Sequence, residues 1–396
     1  MFCHALISLL VFSSALPAAA QFTMQDSGTN ADLRGIVNVG NGTAWASGTH
    51  GTVLRTEDSG FVWQGCAVPP GAEKLDFRGI QAFDDQTAIV MSSGKGDLSR
   101  VYKTTDGCAT WKLVFTNPDA EGFFDAMQTS TRDVAHEGGE PHIWLLGDPV
   151  NGQFALFGSF DLGEHWHRVR QAGLAARASQ GGAFAASNSL FILGYPLQFA
   201  TAQGWLYGGG LENCTMGLVR AHMEQCLNGF RFSAEQLPMA HGSSSSGIFS
   251  IANWNEDLVA VGGDYSKPEE TDGTAAFLAA NPTVAVHGRS KQVTPSSQTK
   301  WLPAQTPPHG YRSSVAYDAQ TKTWITVGPN GTDVSTDDGR NWRALKPGYG
   351  DDANADKQWN ALSLPYVVGP HGRIGRLRED ALAMSQSGST PQKNPR

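Results

Sequence analysis

The chain has 396 residues, including 46 glycines and 11 tryptophans, with 17% charged residues and a formal net charge of −8. That length suffices for a large core or a ring of small sheets, and no 3.6-residue apolar period is sustained beyond the leader, which speaks against a helical fold. The negative balance argues against a nucleic-acid partner, which needs a basic surface.

Residues 1–20 read as a secretory signal: Ala5 to Leu16 is apolar, and Ala18-Ala19-Ala20 before Gln21 forms an A-x-A cleavage site. No Lys or Arg precedes the apolar run, so a membrane anchor is the competing reading, although the run is short for spanning. No Cys follows at a lipid-attachment position, and no later segment is apolar enough to cross a bilayer. The expectation is a periplasmic or secreted protein with no membrane span after signal removal.

An octapeptide, Ser/Thr-x-Asp-x-Gly-x-x-Trp, then recurs along the chain. It occupies Thr56–Trp63 (Asp58, Trp63), Thr104–Trp111 (Asp106, Trp111), Ser159–Trp166 (Asp161, Trp166) and Ser335–Trp342 (Asp337, Trp342), with Cys108 replacing glycine in the second copy. Asp and Ser/Thr side chains lock a tight turn, Gly supplies a positive φ, and Trp starts the next strand. These Asp and Trp residues are therefore structural. A repeat of this kind marks an architecture in which each unit is one small sheet.

The units follow in order. The first runs from Leu33-Arg34-Gly35-Ile36 through Thr43–Gly48 to Trp63, the second from Phe77-Arg78-Gly79-Ile80 to Trp111, and the third from Phe123–Met127 through Ile143–Gly147 to Trp166. A fourth is read from Gly182-Ala183-Phe184 through Leu206-Tyr207-Gly208 to about Phe232, with a cysteine-bearing insertion. The fifth spans Ile248-Phe249-Ser250-Ile251 to Trp301, and the sixth Tyr311–Val315 to Trp342. The seventh starts at Trp359-Asn360-Ala361-Leu362 and ends near Leu377, one strand short. The segment Gln21–Asn30 has no unit of its own, so it is predicted to supply the missing outer strand and close the ring without a free edge. The prediction is an all-β, seven-bladed propeller of four-stranded antiparallel blades over residues 21–377, followed by a disordered polar tail, 378–396.

Export permits disulfides. Loss of Cys3 with the signal leaves Cys66, Cys108, Cys214 and Cys226, which allow three pairings. Cys214 with Cys226, close in sequence, and Cys66 with Cys108, across adjacent blades, are favoured. Without C-x-x-C spacing or a nearby His, no metal site is expected.

The octapeptides resemble the Asp-box, or BNR, repeat of sialidase-like propellers, in which the box joins the third and fourth strands of a blade on the face opposite the functional mouth. The mature chain resembles the photosystem II stability/assembly factor type of such propellers. That likeness rests on x-Arg-Gly-Ile, on Gly48-Thr49-His50-Gly51-Thr52-Val53 and Tyr102–Gly107, and on the boxes. Phe124-Asp125-Ala126, Gly147–Gly152 and Gly262-Gly263-Asp264-Tyr265 resemble a bacterial, non-photosynthetic branch, often labelled oxidoreductase. No G-x-G-x-x-G follows a strand and opens a helix, and no haem or flavin motif is present, so no cofactor is expected.

In such a propeller each first strand starts at the tunnel mouth. The candidate ligand- or partner-binding residues are Arg34, Arg78 and Arg312, with Asp125 and Asn360 at equivalent starts and Asp148, Asp264, Tyr265 and His50 in second-to-third-strand loops. Guanidinium groups bind carboxylates and phosphates in forked pairs, so an anionic ligand or acidic peptide tail is expected. The alternative is that the arginines brace neighbouring blades against Asp125, Asp148 and Asp264. The leading function is a non-catalytic assembly scaffold. The enzyme alternative is a glycoside hydrolase, sialidase- or xyloglucanase-like, with Asp125, Asp148, Asp264 and Tyr265 as its groups. Against it, the sialidase Phe/Tyr-Arg-Ile-Pro is replaced by Phe77-Arg78-Gly79-Ile80. G-x-S-x-G, HExxH and the P-loop are absent, and Ser243–Ser246 is a flexible run.

Overall fold

Each octapeptide builds the same hairpin. Thr56 Oγ1 donates to Asp58 Oδ1 at 2.9 Å and accepts from the Gly60 N–H at 3.0 Å, while Asp58 Oδ1 also accepts from the Val62 N–H at 3.0 Å. The same three bonds recur in the copies starting at Thr104, Ser159 and Ser335. Two consecutive residues after the Asp are left-handed in every copy: Ser59 and Gly60, Gly107 and Cys108, Leu162 and Gly163, Asp338 and Gly339. Cys108 thus takes a glycine's backbone conformation (φ 68°). Its sulfur is bonded to Cys66, Cα to Cα 5.3 Å, at the end of the preceding blade. Hydrogen bonds from Thr110 and Thr104 hold the Asp106 carboxyl down at about 2.

The computed structural model describes residues 21–130, 141–169, 173–177, 181–193, 197–211, 230–279, 299–347, 351–379 and 381–382. The leader and Cys214 with Cys226 lie outside them. Seven four-stranded antiparallel sheets form the ring. Blade 1 runs Leu33–Gly40, Thr43–Gly48, Val53–Thr56 and Gln64–Gly65 from the axis outward. Blades 2 to 7 have inner strands Phe77–Ala82, Phe124–Ser130, Phe191–Ile192, Ser246–Trp254, Ser314–Asp318 and Ala361–Ser363. Core side chains interlock between neighbours: Trp45 and Val53 of blade 1 pack with Phe77, Ile80 and Val90 of blade 2.

The N-terminal strand closes the ring. Phe22–Gln25 pairs antiparallel with Ile374–Leu377 as the outer strand of blade 7, with Phe22 opposite Leu377. Phe22 buries its ring 5.5 Å from Trp359. Gln25 then latches blade 7 to blade 1: its Oε1 accepts from Trp63 Nε1 at 3.0 Å and its Nε2 donates to Ser59 O at 3.2 Å.

Two boundaries differ from expectation. The fold does not stop at Leu377, because Ala381 and Leu382 of the tail are buried against Phe22 and Leu377. In blade 4 the expected second strand around Leu206-Tyr207 is the third (Trp205–Leu211), and the second is Leu197–Ala200. The cause is an interruption of the first strand. The chain enters the blade at Gly182, whose carbonyl accepts from Ala202 as that of Asp32 accepts from Thr49 in blade 1. It then leaves the sheet and resumes as a strand only at Phe191.

Candidate functional site

A recurring β-bulge sets one residue near the start of the inner strand apart from the pairing pattern. The pairing register jumps from Leu33 to Gly35, from Phe77 to Gly79, from Phe124 to Ala126 and from Ile248 to Ser250. The skipped residues are Arg34, Arg78, Asp125 and Phe249. A bulge leaves its extra residue unpaired and turns that side chain out of the sheet pattern. The residue before each bulge is fully buried: Leu33, Phe77, Phe124 and Ile248.

Arg312 breaks the expected equivalence with Arg34 and Arg78. The Leu33 N–H donates to Gly369 O, and in the same place Arg312 donates to Gly262 O and Trp359 to Gly328 O. Arg312 therefore occupies the core position of Leu33 and Trp359, one residue earlier than the letters suggest. Ser313 holds the bulge position, donating to Val327 O and Trp359 O. The Arg312 side chain is 0% exposed. Its Nε donates to Asp333 Oδ2 at 2.9 Å, its Nη1 donates to Tyr311 O and to Asn330 Oδ1, and its Nη2 also contacts Asp333. Asp333 is shared with His309 at 2.5 Å. The guanidinium braces blade 6 and does not face the mouth, which corrects its assignment as a ligand group.

The remaining groups close a circuit around the mouth. Arg34 Nε lies 4.0 Å from Asp76 Oδ1, and Arg78 Nε donates to Asp76 Oδ2 at 2.7 Å. Arg78 Nη1 donates to Ala185 O at 2.8 Å. Asp125 interacts electrostatically with Arg78 and with Asp148, whose Oδ1 accepts from Ala183 N–H at 3.0 Å. Phe184 stacks on Phe249 at 3.8 Å, and Phe249 meets Tyr311 edge-on at 4.7 Å and Tyr265 at 6.0 Å. Tyr311 and Tyr265 interact with each other, and Tyr311 feels the Arg34 charge, which returns to the start. One half of the mouth is thus charged and the other aromatic.

The interrupted strand of blade 4 makes the floor. Asn188 Oδ1 accepts from the Met127 N–H at 2.6 Å, and Asn188 Nδ2 donates to Ile80 O at 3.4 Å. Ser189 Oγ donates to Ser250 Oγ at 2.7 Å and Ser187 Oγ to Phe249 O. Residues 185–189 therefore touch the inner strands of blades 2, 3 and 5.

The carboxylates differ in state. Burial raises Asp125 well above the usual carboxylate range, and the nearby Asp148 charge adds to this, against the pull of Arg78. Burial also raises Asp148. For Asp264, burial pushes upward but is outweighed by hydrogen bonds from Ser245, Ser266 and Ser243, which take it to about 2. Asp264 is thus an ionised organiser of the serine loop, which is hydrogen-bonded rather than free. Asn360 is likewise engaged, its Nδ2 donating to Leu33 O at 2.8 Å across to blade 1. Tyr265 is 54% exposed beside Phe184. His50 is exposed in its left-handed turn. Three buried polar atoms of the circuit lack a hydrogen-bond partner: Arg34 Nε, Asp76 Oδ1 and Asp125 Oδ2. Buried polar groups are otherwise nearly always paired.

Of the residues read from the sequence, the circuit brings together Arg34, Arg78, Asp125, Asp148 and Tyr265, and it adds Asp76, Phe184, Phe249, Tyr311 and Asn188. The bulge pattern, apolar-x-small-apolar, marks Phe249 as readily as Arg34. Among the described residues no helix is long and apolar enough to cross a membrane, and no three His, Cys, Asp or Glu side chains group as a metal set.

No family model matches the chain, and no curated protein does. Among solved structures it is similar to YCF48 bound to D1 peptide, at 12% identity and a TM-score of 0.55, over 92% of this chain and 100% of that one. It is also similar to YCF48 from Cyanidioschyzon merolae, at 13% identity and a TM-score of 0.53, over 91% and 100%. At such identity the likeness is one of fold.

Proposed function

We propose that this chain is an exported, non-catalytic scaffold that holds an extended, anionic protein segment at the mouth bearing Arg34 and Arg78. The observation that carries the reading is the convergence of polar atoms without hydrogen bonds. Arg34 Nε and Asp76 Oδ1, an ion pair at 4.0 Å, and Asp125 Oδ2 are buried on one circuit with no hydrogen-bond partner, which an occupant carrying both acceptors and N–H donors satisfies. A peptide backbone supplies both, and its acidic groups suit the two guanidinium groups in forked geometry. Its apolar side chains suit the shelf of Phe184, Phe249, Tyr265 and Tyr311. The solved YCF48 structure with a D1 peptide supports the idea that this architecture holds a peptide. The octapeptides, read as Asp-boxes, lie between third and fourth strands, away from the mouth, and keep their structural role. The leader supports a periplasmic or secreted location, and the net charge of −8 disfavours nucleic acid.

The test is calorimetry with a panel of acidic and neutral peptides against the wild type and an Arg34→Ala/Arg78→Ala variant. The expected result is binding of acidic peptides that weakens at least roughly tenfold in the variant, since each charge-assisted bond is worth about 1.5–3 kcal/mol. Unchanged affinity in the variant sinks the reading. A second reading, glycoside hydrolysis, draws on one observation: burial, with the nearby Asp148 charge, raises Asp125 well above the usual carboxylate range, the direction a general acid needs. Turnover of chromogenic glycosides, abolished by Asp125→Asn, would establish it in place of the scaffold.

A further inference from the structure

We infer that the mature chain begins with a pyroglutamate formed from Gln21. The proposal rests on the export reading, in which cleavage after Ala20 leaves Gln21 as the first residue. Gln21 is buried, 2% exposed, at the head of the closing strand. Its main chain is fully engaged: the nitrogen donates to Asp351 Oδ2 at 2.9 Å, and the carbonyl accepts from the Arg378 N–H at 2.9 Å. Its side chain is not. Both Oε1 and Nε2 are buried with no hydrogen-bond partner.

An unpaired buried amide is destabilising. Cyclisation removes its NH2 and leaves the carbonyl oxygen. The α-amine nitrogen attacks Cδ of its own side chain, the N–Cδ bond forms, the Cδ–Nε2 bond breaks, and Nε2 departs as ammonia with a proton from the amine. No oxidant or co-reactant is consumed. The lactam keeps one N–H, which is the donor that Asp351 accepts, and loses the unpaired NH2. The site therefore uses the N–H that the lactam retains and has no partner for the NH2 that it sheds, while the carbonyl oxygen is unpaired in either form.

Mass spectrometry of the N-terminal peptide tests this on full-length protein exported with its own leader. The expected species starts at residue 21, is lighter by one ammonia than the glutamine peptide, and resists Edman degradation until pyroglutamate aminopeptidase is added. A peptide starting at residue 21 with intact glutamine and a free amine overturns cyclisation and leaves export standing. A peptide starting elsewhere overturns both. The packing argument is checked with Gln21→Glu, which closes far more slowly. Its freshly purified form is expected to melt below the wild type, and an equal Tm overturns the claim that the site is built for the lactam.

Discussion

Asp125 and Asp264 stand at one mouth and answer acid in opposite ways. Asp125 has a raised value in the fold, so between the ordinary 3.8 and its own higher value the folded state binds the extra proton. Stability from this group is therefore greatest in acid and falls as pH rises through the folded value. Asp264 is lowered to about 2, so its contribution is present above about 3.8 and disappears as pH falls toward 2. Tm measured from pH 3 to 8 is expected to lose its decline above pH 4 in Asp125→Asn, and to lose part of its acid limb in Asp264→Asn. The opposite assignment would show that the two environments have been confused. Arg312 makes a contrasting residue-scale case. Arg312→Ala strands Asp333 in the core, and breaking a buried pair costs about 3–5 kcal/mol. Urea unfolding is expected to show that loss, while peptide binding at the mouth stays near wild type. The sequence already held the clue: aligned on the aliphatic residue, Val315 matches Ile36, Ile80, Met127 and Leu362, which places Arg312 beside Leu33 and not beside Arg34. Aligning on the charged letter hid this, because a one-residue slip sends a side chain to the other face.

At the scale of the element, the octapeptide hairpins were fully legible, since the Ser/Thr and Asp side chains of every copy make local bonds. The second hairpin shows how a broken rule is compensated. Cys108 sits at φ 68°, where a β-carbon is strained, and its disulfide to Cys66 closes a loop with a sequence separation of 42. A bridge of that span stabilises by about 4 kcal/mol in the chain-entropy account. Cys66→Ala/Cys108→Ala is expected to lose about 2–4 kcal/mol in denaturant melts. Cys66→Ala/Cys108→Gly is expected to recover about 1 kcal/mol of this, because glycine relieves the backbone. Equal losses in the two variants would mean that the turn carries no strain. Blade 4 was illegible for the complementary reason. Its first strand is interrupted by residues whose bonds go to blades 2, 3 and 5, and no local pattern announces a partner that far away. The aromatic half of the mouth escaped for a related reason: Phe184 and Phe249 read as ordinary core letters until the ring sets them face to face.

For the whole molecule, strand counting was enough, because a ring has to close and the last unit was one strand short. Closure carries an energetic burden that a single strand of four residues, Phe22–Gln25, bears. Phe22 contributes about 1.5–3 kcal/mol through burial of its side chain. The two Gln25 bonds to blade 1 add about 0.5–1.5 kcal/mol each. Gln25→Ala removes only the latch and is expected to lower stability by about 1–3 kcal/mol with the elution volume unchanged from wild type. A chain exported to begin at Ser27 loses the strand itself. Ile374–Leu377 then becomes an open edge with unpaired backbone groups, the state that templates edge-to-edge association. That truncation is expected to elute as larger species than the wild type in size-exclusion chromatography. A synthetic peptide covering residues 21–26 is expected to return it to the wild-type elution volume by restoring the pairing of Phe22 with Leu377. Its mouth is expected to lose acidic-peptide affinity as well, because Arg34 lies in the blade that the strand latches. A truncated chain that keeps the wild-type elution volume and melting curve would mean that blade 7 closes the ring with three strands.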